Sequence, residues 1–149
     1  MKKLLCTILL ILTLPAGSWA QKDLCIGKIL GDDYKKNPAA TEVEIMGERL
    51  QKYGLTYYHS LTVKNDTDLM EKIITAFKTD ERKACDKEMT NIGGRLYSGL
   101  YRLTYDGYVN RFVFFKDMRL SPQKKPNAVI VIYMEGETSL KALQKKFKK

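Results

Sequence analysis

The sequence predicts an α+β domain: a single, mainly antiparallel sheet of four to five strands, with a mid-chain amphipathic helix and a C-terminal helix packed chiefly on one face. Three stretches carry this expectation. "LTYYHSLTVK" alternates with a period of two, "DLMEKIITAF" repeats apolar residues at intervals of three and four, and "AVIVIYM" is apolar on both alternations. These are the marks of a half-buried strand, an amphipathic helix and a strand covered on both faces.

The chain opens "MKKLLCTILLILTLPAGSWA", in which Lys2 and Lys3 precede an apolar and threonine run from Leu4 to Leu14, closed by Pro15 and Gly17. This is the pattern of a secretory signal peptide, and Ser18 and Ala20 supply the small residues of a cleavage site after Ala20. The run is shorter than the roughly 18 to 20 residues that span a bilayer. Residues 1–20 are therefore expected to be removed, leaving 21–149 as one domain; a retained anchoring helix is the lesser alternative. No cysteine stands at the cleavage site to take a lipid, so a soluble periplasmic or extracellular protein is expected. The formal net charge of +9 falls to +7 with the loss of Lys2 and Lys3. Outside the cytoplasm such a charge points to acidic polysaccharide, acidic protein or membrane-surface phosphate before nucleic acid.

Cys6 leaves with the leader, and Cys25 and Cys85 remain in a compartment that permits oxidation. They form either one disulfide or two separately buried thiols. A bridge closing this loop would contribute roughly 4 kcal/mol through the entropy of the unfolded chain.

Residues 21–40 are broken by Gly27, Gly31 and Pro38, and read as an irregular arm holding an edge strand or a helical turn. "TEVEIMG" alternates Val43 and Ile45 with Glu42 and Glu44 and is a strand, and "ERLQKYG" is a helical turn or loop closed by Gly54. In the next strand Leu55, Tyr57, His59, Leu61 and Val63 share one face. Asp68 and Glu71 are spaced as a capping pair for the helix that follows. The polar stretch "TDERKACDKEMTNIGG" ends in Gly93-Gly94, which precedes a strand and reads as a turn, not a phosphate-cradling loop. At the C-terminus, Leu140, Leu143 and Phe147 form one stripe behind a Thr138 or Ser139 cap. That stripe suits a docked helix better than one lying on a membrane, although five lysines surround it.

"GLYRLTYDGYVNRFVFF" reads as a β-hairpin about Asp106-Gly107, because both residues tolerate the positive φ of a tight hairpin turn. A two-residue loop sets Tyr101 against Phe112 and Gly99 against Phe114 on an aromatic face. It also sets Arg102 against Arg111, and such a like-charged pair is either splayed in water or an anion-binding site.

His59 is the single histidine, so no His-His metal pair can form, and the two cysteines lack zinc-finger spacing. A Ser-His or Cys-His arrangement would have to join His59 to Ser60 or Cys85, and no nucleophile elbow is present. Asp32 with Asp33, or Asp86 with Glu88, are the carboxylate pairs that could serve as acid and base. No catalytic residue, metal or cofactor is expected.

The run from "GLTYYHSLTVKND" through "ACDKEM", the "GGRLYSGLYRL" strand and the closing "VIYMEGETSLKALQKKF" resemble an uncharacterised domain-of-unknown-function family of short exported proteins from Bacteroides-type gut bacteria. The resemblance implies an envelope or extracellular location and a compact α+β domain, and it transfers no activity or ligand. The resulting expectation is a noncatalytic binding or interaction module of the cell envelope or periplasm. Its partner would be an acidic glycan, a peptide or an envelope protein. A small exported hydrolase using His59 or a carboxylate pair is the alternative.

Overall fold

The computed structural model describes residues 23–31, 34, 36–103, 109–123 and 126–147. The elements are α1 (Cys25–Gly31), β1 (Ala40–Met46), β2 (Leu55–Lys64), α2 (Thr67–Asp80), β3 (Ala84–Ile92), β4 (Arg95–Leu103), β5 (Asn110–Asp117), β6 (Ala128–Gly136) and α3 (Leu140–Phe147). A short 3-10 turn, Glu48–Tyr53, joins β1 to β2. The strands form one antiparallel sheet in the order β1-β2-β6-β5-β4-β3.

The α+β class stands, but the sheet has six strands and not four to five, and its helices cover both faces. The additional strand is β3. Its core, Asp86-Lys87-Glu88, has neither period, and most of the strand is exposed at the sheet edge. What makes it a strand is Gly93-Gly94, where φ is 59° and 76°. Positive φ at both central positions is what a two-residue hairpin turn requires, and it lays Ile92 against Arg95. Charges and two register shifts along β3 protect this edge from pairing with other chains.

β6 is central, and its two alternations build two cores. Val129, Val131 and Tyr133 face α1 and α2, together with Leu61 and Val63 of β2, Tyr101 of β4 and Phe115 of β5. Ile132 and Met134 face α3 and the 3-10 turn, with Leu100, Phe112, Leu140 and Leu143. In the first core Phe77 of α2 is fully buried, with its ring 4.6 Å from Tyr101 and 5.1 Å from Phe115. Truncating such a residue typically costs about 3 to 5 kcal/mol. In the second, Phe147 stacks on Phe114 at 4.3 Å, so the apolar stripe of α3 is docked on the sheet. One departure from strict alternation matters. A register shift between Leu55 and Tyr57 turns Leu55 into the α3 core, away from the other residues predicted to share its face.

Local signals set the helix ends, not always at the expected residue. Asp66, not the Asp68 and Glu71 pair, caps α2 by accepting from Leu69 N at 3.1 Å. Ser139 caps α3 by accepting from Ala142 N at 3.1 Å. The arm expected to be irregular holds α1, whose Ile26 and Leu30 enter the first core. Its start is satisfied from a distance: the carboxylate of Asp80, buried at the end of α2, accepts from Cys25 N and Ile26 N at 2.8 Å each. An aspartate 54 positions away thus supplies a cap that the local sequence lacks.

The β4-β5 register is displaced by one residue from that of a two-residue turn. Arg102 faces Phe112, Leu103 faces Arg111 and Gly99 faces Phe115. Asp106-Gly107 lies outside the described residues. The physical reason for the displacement is that both faces are buried, so alternation alone does not choose a register.

Gly136 ends β6 where Gly54 and Leu55 pass close by. A Cβ there would overlap the Gly54 carbonyl oxygen and crowd Leu55 Cα, both of them backbone atoms, whereas at Gly31 it would meet nothing. Gly136→Ala is expected to destabilise the protein by about 1 to 3 kcal/mol in urea unfolding. Gly31→Ala should be neutral or stabilise by up to about 1 kcal/mol. Equal effects would show that Gly136 is not held against β2.

Candidate functional site

The α1 and α2 side of the sheet is apolar in its middle and polar at one end. Register accounts for this. Met46, Tyr57, Glu135 and Arg111 lie in one row across four strands, and Glu44, His59 and Tyr133 lie in the next row on the same face. Side chains two apart on a strand share a face, so the two rows together form one polar patch.

Within the patch His59 is 5 % exposed. Its Nε2 meets Glu42 Oε1 and its Nδ1 lies 3.3 Å from Tyr57 Oη, while the Tyr57 hydroxyl donates to Glu44 Oε1 at 2.7 Å. The Tyr57 ring also sits edge-on to the rings of His59 and Tyr133. Tyr133, fully buried, donates to Glu135 Oε1 at 2.7 Å. Arg111, also buried, reaches Asp23 ahead of α1 with Nη1 at 2.8 Å and Nη2 at 3.3 Å. That is the two-pronged geometry by which a guanidinium holds a carboxylate.

Burial sets the electrostatics here. Loss of water pushes the Tyr133 phenol far up, with the hydrogen bond to Glu135 adding to the effect. The Glu135 carboxyl is also raised by burial, against the lowering effects of its Tyr133 hydrogen bond and the Arg111 charge. For Arg111, burial lowers the guanidinium, but the hydrogen bond to Asp23 and the charge of that carboxylate help to leave it raised on balance.

The structure does not bring the predicted anion pair together. Arg111 belongs to the patch just described, whereas Arg102 lies on the α3 face, opposite Asp86 on β3, with Nη1 3.4 Å from Asn110 Oδ1. Their side chains project from opposite faces of the sheet. The two thiols are unbonded: Cys25 begins α1, half-buried, and Cys85 is exposed in the irregular pairing at the start of β3, donating to the Arg102 carbonyl at 3.4 Å.

Neither predicted nucleophile stands beside His59. Ser60, the next residue, projects from the other face of β2, and Cys85 is on the far edge strand. Asp32 and Asp33 lie outside the described residues. Asp86 and Glu88 sit on β3 across from Arg102 and Leu100. Among the described residues no three His, Cys, Asp or Glu side chains are grouped to hold a metal ion, and no helix is long and apolar enough to cross a membrane.

The sequence reading missed Glu42, Glu44, Tyr57, Tyr133 and Glu135 as neighbours of His59 and Arg111. The alternation of "YYHS" and the Tyr-Met-Glu spacing of β6 show which of these share a face within their own strands. Only the β1-β2, β2-β6 and β5-β6 pairings place the strands side by side.

A second neighbourhood lies on the opposite cover. The 3-10 turn and α3 present Arg49, Lys52, Lys141, Lys145 and Lys146, all exposed, around the exposed ring of Tyr53. The ammonium groups of Lys52 and Lys146 stand 4.9 Å and 4.2 Å from the centre of that ring. Between α1 and α2 runs an open groove of about 730 Å³, with Cys25, Ile29 and Ala76 among its apolar lining residues.

A carboxyl raised by burial favours the folded state below its unfolded value and loses that contribution as pH rises through its folded value. For Glu135 the loss begins near the ordinary glutamate value of about 4.3. In Glu135→Gln the amide oxygen still accepts from Tyr133 but cannot ionise. The melting temperature of this variant is expected to gain on the parent as pH increases from about 4 to 7. A constant difference across that range would show that the carboxyl does not titrate as its surroundings require. His59→Ala removes the imidazole that meets Glu42 and the Tyr57 hydroxyl, while Tyr57 keeps its bond to Glu44, and an unfolding loss of about 1 to 3 kcal/mol is expected.

Residues 13–147 match DUF6108, a family of unknown function. No curated protein and no solved structure matches the chain. With all but the ends of its sequence covered by the match, the chain belongs to the DUF6108 family.

Proposed function

We propose that this chain is an exported, noncatalytic binding module of the cell envelope, with the cationic cover formed by the 3-10 turn and α3 as its ligand-facing side. The observation that carries the reading is a contrast between the two neighbourhoods. In the polar patch the groups able to perform acid-base chemistry are engaged with one another: His59 with Glu42 and Tyr57, Tyr133 with Glu135, and Arg111 with Asp23. Such mutual bonding rigidifies one end of the sheet. On the opposite cover the cations are exposed to solvent. Five cations over so small an area raise the local concentration of anions and steer their encounter.

The charged, apolar and small-residue segments of the first twenty residues support export. The hydrolase alternative needs a histidine that touches substrate and a nucleophile beside it. His59 is 5 % exposed, Ser60 projects from the other face of β2, and Cys85 lies on the far edge strand.

Two measurements test the reading. Expressed with its own leader, the protein is expected in the osmotic-shock fraction with Gln21 as its first residue. Recovery of the intact chain in the cytoplasm alone would overturn export. Assayed against chromogenic ester, peptide and glycoside substrates, the purified protein should release no product above a boiled control. Turnover that disappears in His59→Asn would establish the enzyme instead.

A further inference from the structure

We propose that Lys52 and Lys146, gathered at Tyr53, anchor the acidic group of a polysaccharide, a sulfate ester or a uronate carboxylate. The inference rests on the binding-module reading and names its site and ligand class.

The two ammonium groups come from different elements. Lys52 lies in the 3-10 turn and Lys146 in the last turn of α3, yet both approach one exposed ring, at 4.9 Å and 4.2 Å from its centre. Their convergence is built into the fold. The turn is held to the β6-α3 junction by the Thr138 N to Gly54 O bond at 3.1 Å, and it is closed by Gly54 N to Gln51 O at 2.9 Å. Leu50, 4 % exposed, packs in the same core as Leu140 and Leu143. The backbone supports of both lysines are therefore fixed before any ligand arrives, which limits the ordering cost of binding.

Positive charge predominates here, with Glu48 at the start of the 3-10 turn as its acidic residue. Neither ammonium has a carboxylate partner among the described residues, and α3 carries no acidic residue in its first turn. The ring attracts both cations through its negative face, but the cations repel each other. An oxyanion placed between them relieves that repulsion. Arg49, Lys141 and Lys145 lie on the same two elements and extend the positive surface beyond a single anion, as a polymer with repeated acidic groups requires.

A polysaccharide suits this surface better than a bilayer. Leu140 and Leu143 are buried and Phe147 is stacked on Phe114, so α3 has no apolar face to insert among lipids. The large apolar group left exposed in the patch is the Tyr53 ring, 40 % accessible and with both ammonium groups over it, which offers a bilayer no extended apolar surface.

The test uses residues 21–149 with immobilised heparin, polygalacturonate and neutral dextran, and with phosphatidylglycerol vesicles, at about 0.15 M salt. The wild type should bind heparin or polygalacturonate and not dextran. The Lys52→Ser, Lys146→Ser double variant should lose affinity by about tenfold or more. A control, Lys72→Ser with Lys78→Ser, removes the same charge from α2 and should change it by less than about twofold. Matching melting temperatures establish that both variants fold. Equal losses in the two variants would overturn the anchor and leave a diffuse charge effect. Binding to vesicles but to neither acidic polymer would overturn the ligand class. Those two results leave the binding-module reading standing, whereas ester, peptide or glycoside turnover dependent on His59 removes that reading whatever the polymers do.

Discussion

The rest of the structure depends on the burial of β6 on both faces. A strand apolar on both alternations cannot be satisfied by a single layer of helices, and it forces the chain to build two cores. One is closed by α1 and α2 over Val129, Val131 and Tyr133, and the other by α3 and the 3-10 turn over Ile132 and Met134. Flanked by β2 and β5, β6 also decides which residues of those two strands become neighbours.

Two buried carboxylates hold chain segments in place. Asp80 holds the start of α1 from the end of α2, and Asp117 accepts from the Arg119 backbone and guanidinium just after β5. Each buried charge is met by donors, the condition under which burying it is tolerable. Asp80 has a reach beyond α1. The Tyr101 phenol, which donates to the Phe77 carbonyl, is raised far above its ordinary range, chiefly by burial and next by the charge of Asp80. The Asp80 carboxylate and the Tyr101 hydroxyl are thus both buried and hydrogen-bonded.

The two sides of the sheet consequently differ in character. On the α1 and α2 side the ionisable groups pair with one another at the end of the apolar core, and their geometry is that of structural support. On the other side the short α3 helix spends its apolar stripe on the sheet and turns its lysines outward. Its lysines thus face solvent from a helix docked through Leu140, Leu143 and Phe147. The functional proposal follows from that division.

The sequence by itself determined the α+β class, the existence of β2, α2, β6 and α3, the central place of β6 and the Gly93-Gly94 turn, because periodicity and turn chemistry are local. Local signals did not reach β3, whose residues lack alternation and which is a strand by virtue of its turn and its partner. Nor did they reach the cap of α1, which comes from Asp80, or the outward bend of Leu55. The opposition of Arg102 to Arg111 failed for the same reason. Each arginine's place along its own strand was legible, but the register between the two strands was not, because alternation does not choose it when both faces are buried. His59 and Tyr53 were visible as residues, and only the tertiary structure decided that one is enclosed by Glu42 and Tyr57 while the other stands exposed between two lysines. Burial on both faces leaves alternation silent about register and neighbours, and long-range pairing supplies what alternation cannot.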